Sequence, residues 1–104
     1  MASRSSRTRC RRVTSIRWAR LALVDLEAID TYYRQMDEDL ADRMSARIVG
    51  ATAFLRDMPR GGPIDRGSRR RWHASGTPYL LFYRIEADHV RVLRVRHAAQ
   101  NPLR

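Results

Sequence analysis

The stretch from Pro78 to His97, PYLLFYRIEADHVRVLRVRH, holds the side chains best equipped for chemistry. Arg84, Arg91, Arg94 and Arg96 are set among apolar residues, and His97 closes the run. Planar guanidiniums bind carboxylates and phosphates through paired N–H donors. A histidine at its ordinary pKa exchanges a proton near pH 7, as a general acid or base must. No oriented partner for His97 is visible in the sequence, and a packed histidine at a strand end accounts for it equally. His73 and His89 are scattered, and no Cys/His group has metal-ligand spacing, so no metal or cofactor is expected. Arg69-Arg70-Arg71 is either a solvated strand edge or a contact to phosphate or to an acidic partner. Trp18 and Trp72 are expected as core or edge anchors. A surface for single-stranded nucleic acid would interleave several exposed aromatics with its basic groups.

These residues need a scaffold, and the pattern of the chain supplies one. Tyr79 to Ile85 and Val90 to Val95 alternate as two strands joined by a turn at Glu86-Ala87-Asp88-His89. Alternation puts Tyr79, Leu81, Tyr83 and Ile85 on one face with Leu93 and Val95. It puts Leu80, Phe82 and Arg84 on the other with Val92, Arg94 and Arg96. The second face then has an apolar floor and guanidinium rims, suited to an amphipathic acidic peptide. Upstream, Val13 to Trp18 reads as a first strand. Ala22, Leu26, Ile29 and Tyr33 share one helical face. Asp37 is an N-cap candidate for a second helix, whose apolar positions are Ala41, Met44, Ile48, Ala51, Leu55 and Met58. Pro59 and Gly61-Gly62-Pro63 stop it. RGGPIDRGSRRR reads as a loop leading to a strand near Arg70 that contains Trp72. The order is β-α-α-β-β-β: a helical hairpin packed on a small, twisted, mainly antiparallel sheet, which makes a two-layer α+β domain.

Length and charge narrow the function classes. A chain of 104 residues is expected to form one domain, residues 13–104, behind an Arg-rich tail, residues 1–12, that reads as disordered. The net charge is +10 without a single lysine, and half of it lies in that tail. Such a balance favours polyanions or acidic proteins, though a solvated face with a basic tail accounts for the composition as well. The acid-free tail fits a transit segment, a nucleic-acid-attracting arm or an over-extended start. It lacks the apolar core of a secretory signal. Cys10 alone cannot form an internal disulfide. The cytoplasm is the expected compartment, and no apolar run is long enough to span a bilayer.

From Ile16 to Pro102 the chain resembles the RelE/ParE superfamily of bacterial toxin–antitoxin toxins. The carrying features are IRWARLALVDLEAIDTYY, the second helix running into MPRGGP, the hairpin FYRIEADHVRVLRVRH and the ending AAQNP. The RelE-like branch cleaves mRNA on the ribosome, and the ParE-like branch is associated with gyrase poisoning and plasmid stabilisation. RelE-like members commonly carry an Arg after the aromatic residue that opens the third strand. A guanidinium there stabilises the charge that builds on a cleaving phosphate. Here Leu80 fills the place and can donate nothing. YLLFYRI and LRVRHAAQNP are similar to the ParE-like versions. The resemblance therefore implies a growth-arresting toxin with no catalytic residues. It would contact gyrase as a protein partner and assemble with a cognate antitoxin through an acidic, partly disordered segment, in a hetero-oligomer. The expected contacts are Phe82, Arg84, Arg94, Arg96 and His97. The alternatives are a RelE-type endoribonuclease using Arg84, Arg96 and His97, or a generic basic nucleic-acid-binding module.

Overall fold

The computed structural model describes residues 15–100. The expectations for the basic tail, for Val13 and Thr14 and for residues after Gln100 fall outside that span. The elements are β1 Ser15–Trp18, α1 Arg20–Arg34, α2 Glu38–Asp57, β2 Ile64–Arg66, β3 Arg69–His73, β4 Tyr79–Ile85 and β5 His89–His97, followed by a 3-10 turn, Ala98–Gln100. The expected order holds, with one strand more. β2 lies inside RGGPIDRGSRRR, where the composition predicts a loop. Gly67 adopts a positive φ of 57°, so the chain reverses there and β2 pairs antiparallel with β3. Asp65 then accepts hydrogen bonds from the Arg69 guanidinium. Three residues are too few to show a strand period.

The helices start and stop for local reasons. The Asp37 carboxylate accepts from the Asp39 amide at 2.9 Å, and Glu38 and Asp39 place negative charge on the first turn of α2. Arg34 holds the hairpin closed by bridging Asp30 and Asp42, at 2.8 and 2.9 Å. After α2 the chain needs Gly62, because a Cβ there would lie 2.3 Å from the Arg71 carbonyl oxygen. The buried Tyr83 staples this turn: its hydroxyl donates to the Pro59 carbonyl at 2.7 Å and accepts from the Gly62 amide at 3.0 Å.

The sheet order is β1-β5-β4-β3-β2, with β1 parallel to β5 and the other pairs antiparallel. The helical hairpin covers one face. Ala22, Ile29, Ile48 and Leu55 meet Tyr79, Leu81, Tyr83, Val90, Val92 and Val95 in the core. On the expected helix faces Ala22, Ile29, Ala41, Ile48 and Leu55 are buried and Leu26, Tyr33 and Ala51 pack against the core, whereas Met44 is only partly covered and Met58, which follows the end of α2, is exposed. Trp18 and Trp72 pack against the core as expected, Trp72 with its ring stacked on Phe54 at 4.7 Å.

One face assignment needs correction. Phe82 pairs with Arg94 but Tyr83 pairs with Val92, so Leu93 is an extra residue, a β-bulge. The bulge turns Val92 toward the helices, where it is completely buried, and leaves Leu93 only partly covered. Strict alternation had placed these two the other way round.

Candidate partner-binding surface

The helices leave the second face of the sheet open, and the strand period decides what stands on it. β4 contributes Leu80, Phe82 and Arg84. Their partners on β5 are Arg96, Arg94 and Arg91, and on β3 His73, Arg71 and Arg69. Four of the five expected contact residues, Phe82, Arg84, Arg94 and Arg96, thus come together. They are not equally available.

Phe82 is only 3% exposed. The Arg69 guanidinium lies 4.6 Å from its ring centre, held there by Asp65, so the apolar floor is roofed by a cation. Arg84 donates from Nε to Glu86 at 2.8 Å, and this bond draws the Glu86 carboxyl below its ordinary pKa. Arg94 is committed to the fold. It donates to both Asp25 oxygens, at 2.8 and 3.1 Å, and Asp25 also accepts from the Val95 amide at 2.9 Å. The reason is topological: β1 ends at Trp18, opposite Val92, so among the described residues β5 has no strand neighbour on that side beyond this point. Asp25, reaching down from α1, satisfies the exposed edge. The pairing favours the charged guanidinium and raises the Arg94 pKa. Asp25 falls three residues after Ala22 and four before Ile29. An acid inside an apolar helical stripe was the available signal. Arg96 makes no ion pair among the described residues.

His97 stands apart from the other four. It pairs with Tyr79, meets that ring edge-to-face at 5.4 Å, and points to the helix side. Its Nδ1 accepts from the Ala99 amide at 3.0 Å, which puts the proton of the neutral ring on Nε2. No carboxylate hydrogen-bonds this ring among the described residues. His97, Arg96, Tyr32, Tyr33 and Tyr79 line a cavity of about 440 Å³ between α1 and the end of the β4–β5 hairpin. Tyr33 and Tyr79 meet edge-to-face at 6.4 Å, and burial raises the Tyr79 pKa above its ordinary value. Tyr33 and Tyr79 fall on the apolar faces expected for the first helix and the third strand, and Tyr32 falls on neither. Arg96 belongs to both the cavity and the open face, so one partner segment could engage both.

Leu80 lies between His73 on β3 and Arg96 on β5. The His73 Nε2 is already engaged with the Thr77 carbonyl, at 2.6 Å. Among the described residues no group of His, Cys, Asp and Glu is arranged to hold a metal ion.

Comparisons with known proteins give this geometry its family. Residues 16–102 match the family described as ParE toxin of type II toxin-antitoxin system, parDE. Y4kP of Sinorhizobium fredii, named as a toxin, is 40% identical over 86 residues, covering 82% of this chain and 88% of that protein. Toxin RelE2 of Caulobacter vibrioides is 32% identical over 83 residues, covering 80% and 93%. A solved chain of the chromosomal ParDE system of P. aeruginosa shares the fold with a TM-score of 0.72 at 21% identity, over 82% of this chain and 96% of that one. A chain of the RelBE2 toxin–antitoxin complex of Mycobacterium tuberculosis overlays with a TM-score of 0.52 at 24% identity, over 83% and 91%. The two-layer α+β fold and the matched span agree: the chain belongs to the ParE family of type II toxin–antitoxin toxins.

Proposed function

We propose that this toxin arrests growth by inhibiting DNA gyrase through protein–protein contact, without catalysing a reaction itself, and that a cognate antitoxin neutralises it. The observation that carries this reading is Leu80. It occupies the strand position where RNA-cleaving relatives commonly hold an arginine, and it lies between His73 and Arg96 without a donor to offer a phosphate. The match to the ParE family supports the same choice. Gyrase and the antitoxin are cytoplasmic partners, in keeping with a chain whose described helices are too short or too polar to cross a membrane.

The contact surface in this reading is Arg84 and Arg96 on the open face, with the cavity beside His97. Phe82 supports the surface from below. Arg94 contributes its stem while its charge stays with Asp25. An antitoxin segment that folds on binding would place an apolar side chain among Tyr32, Tyr33 and Tyr79 and its acids on the guanidiniums, forming a hetero-oligomer. Arg94→Glu would set a carboxylate against the largely buried Asp25, which also holds the Val95 amide, whereas Arg84→Glu meets only the more exposed Glu86 and Arg96 has no ion pair among the described residues; Arg84→Glu with Arg96→Glu is therefore the cleaner way to remove binding and keep the fold.

The second reading, a ribosome-dependent RNA-cleaving toxin, is favoured by the 32% identity to a protein named RelE2. One experiment separates the two. Purified protein is added to gyrase with supercoiled plasmid and, in parallel, to ribosomes translating a defined mRNA. A dose-dependent rise in gyrase-linked cleaved DNA, reversed by the antitoxin, supports the gyrase reading. Cleavage of mRNA with gyrase untouched replaces it with the second.

A further inference from the structure

We infer that the open face also carries a binding element for the phosphate backbone of duplex DNA: a row of four arginines running across the sheet. The strand registers create it. Arg17 on β1 pairs with Arg91 on β5, Arg91 with Arg84 on β4, and Arg84 with Arg69 on β3. Neighbouring strands lie about 4.8 Å apart, so the row is roughly 14 Å long and perpendicular to the strands.

Like charges directly opposite one another destabilise a sheet, and here three successive pairs are Arg–Arg. The protein answers them only in part. Glu86 takes Arg84 and Asp65 takes Arg69, while Arg17 and Arg91 make no ion pair among the described residues. Glu86 feels Arg91, and Asp88 feels Arg17, only at longer range. Only Arg69 has a packing role, over the Phe82 ring; the side chains of the row point away from the core, and nothing in the packing calls for arginine at 17 and 91. An anionic ligand lying along the row relieves it.

The surroundings say which anion. A single-stranded nucleic acid needs aromatic faces for its bases. The aromatic residue of this face, Phe82, is buried beneath Arg69, and Trp18, Trp72, Tyr79 and Tyr83 pack on the helix side. A peptide partner needs an apolar anchor, and the row offers none; Leu80 and the cavity lie toward the other end of β4. Among the described residues no helix or ribbon projects from this face to enter a groove. What remains is sequence-independent contact with a regular line of phosphates, worth several guanidinium–phosphate pairs. The inference does not depend on whether gyrase or the ribosome is the target.

The test measures anisotropy of a fluorescein-labelled 20-base-pair duplex with full-length protein across a salt series. Arg17→Gln with Arg91→Gln is expected to weaken binding about tenfold near 0.1 M salt and to reduce the log–log salt slope by about 2. Arg17→Lys with Arg91→Lys should keep the slope. Two controls remove the same charge elsewhere: Arg43→Gln with Arg56→Gln on α2, and Arg9→Gln with Arg11→Gln in the tail. Both should bind nearly as the parent does. Thermal unfolding of each variant confirms that the fold is kept. The inference is overturned if the row variant binds like the parent, if either control loses as much, or if a single-stranded oligonucleotide of equal charge binds more tightly than the duplex.

Discussion

On the helix side of β4, Tyr79, Leu81 and Tyr83 are buried; one residue along in each case, Leu80, Phe82 and Arg84 look away from the helices. The same contrast runs through β5, where Val90, Val92 and Val95 are covered and Arg91, Arg94 and Arg96 are not. On β4 and β5 the covered face carries no arginine or carboxylate, because desolvating an unpaired charge is costly. The open face tolerates a density of arginine that weakens the sheet slightly, and of these Arg69 alone covers an aromatic ring, that of Phe82. Most of the stability therefore resides on one side of the sheet, and the proposed binding surface lies on the other and in the cavity at its end, beside His97. Arg94 is the exception, since its position belongs to the open face and its ion pair ties it to α1.

Substitutions can break this division or sharpen it. Leu81→Ala removes a completely buried side chain from the covered face and should cost about 2–5 kcal/mol in urea denaturation. Asp25→Ala should cost about 1–3 kcal/mol, because it strands the Val95 amide as well as the Arg94 guanidinium. Arg96→Gln should cost almost nothing by the same measurement. Equal losses for these two would place Arg94 with its open-face neighbours after all. Tyr83→Phe keeps the ring and loses the staple across Pro59 and Gly62, for about 1 kcal/mol.

The same tyrosine sets a pH dependence. Burial raises the Tyr83 pKa above its ordinary 10.0, so the fold prefers the neutral phenol. That contribution is complete below about pH 10 and is lost as the pH rises toward the folded-state value. Stability measured between pH 8 and 11 should fall more steeply for the parent than for Tyr83→Phe. The smallest effect belongs to the arginine row: Arg17→Gln with Arg91→Gln should change stability by less than about 0.5 kcal/mol, with any change toward greater stability. A large loss would mean that the row holds the sheet together.

The division between faces was largely legible in the sequence, because a period of two writes itself directly into YLLFYRI. Helical spacing and the Asp37 cap likewise gave α2 its start and its buried side. The failures share a cause: each depends on a single residue that interrupts a pattern. Leu93 inserts a bulge and exchanges the faces of two residues. Gly67 makes a hairpin out of an apparent loop. Asp25 looks like surface decoration until the end of β1 exposes the β5 edge beside it. Of the expected contacts, four share a face as the alternation implied. His97 lies on the other side, and its company of Tyr32, Tyr33 and Tyr79 depends on how α1 lies over the end of the hairpin, which no local pattern encodes.

The central claim is that the arginines of the open face act on the target while contributing little to the fold. It is tested most directly with Arg84→Glu and Arg96→Glu in one protein, measured on the same preparation for thermal unfolding and for gyrase-linked DNA cleavage. The account predicts a Tm within about 4 °C of the parent, the shift expected from roughly 1 kcal/mol, together with loss of most of the cleavage signal. Full cleavage activity from this well-folded variant would contradict it.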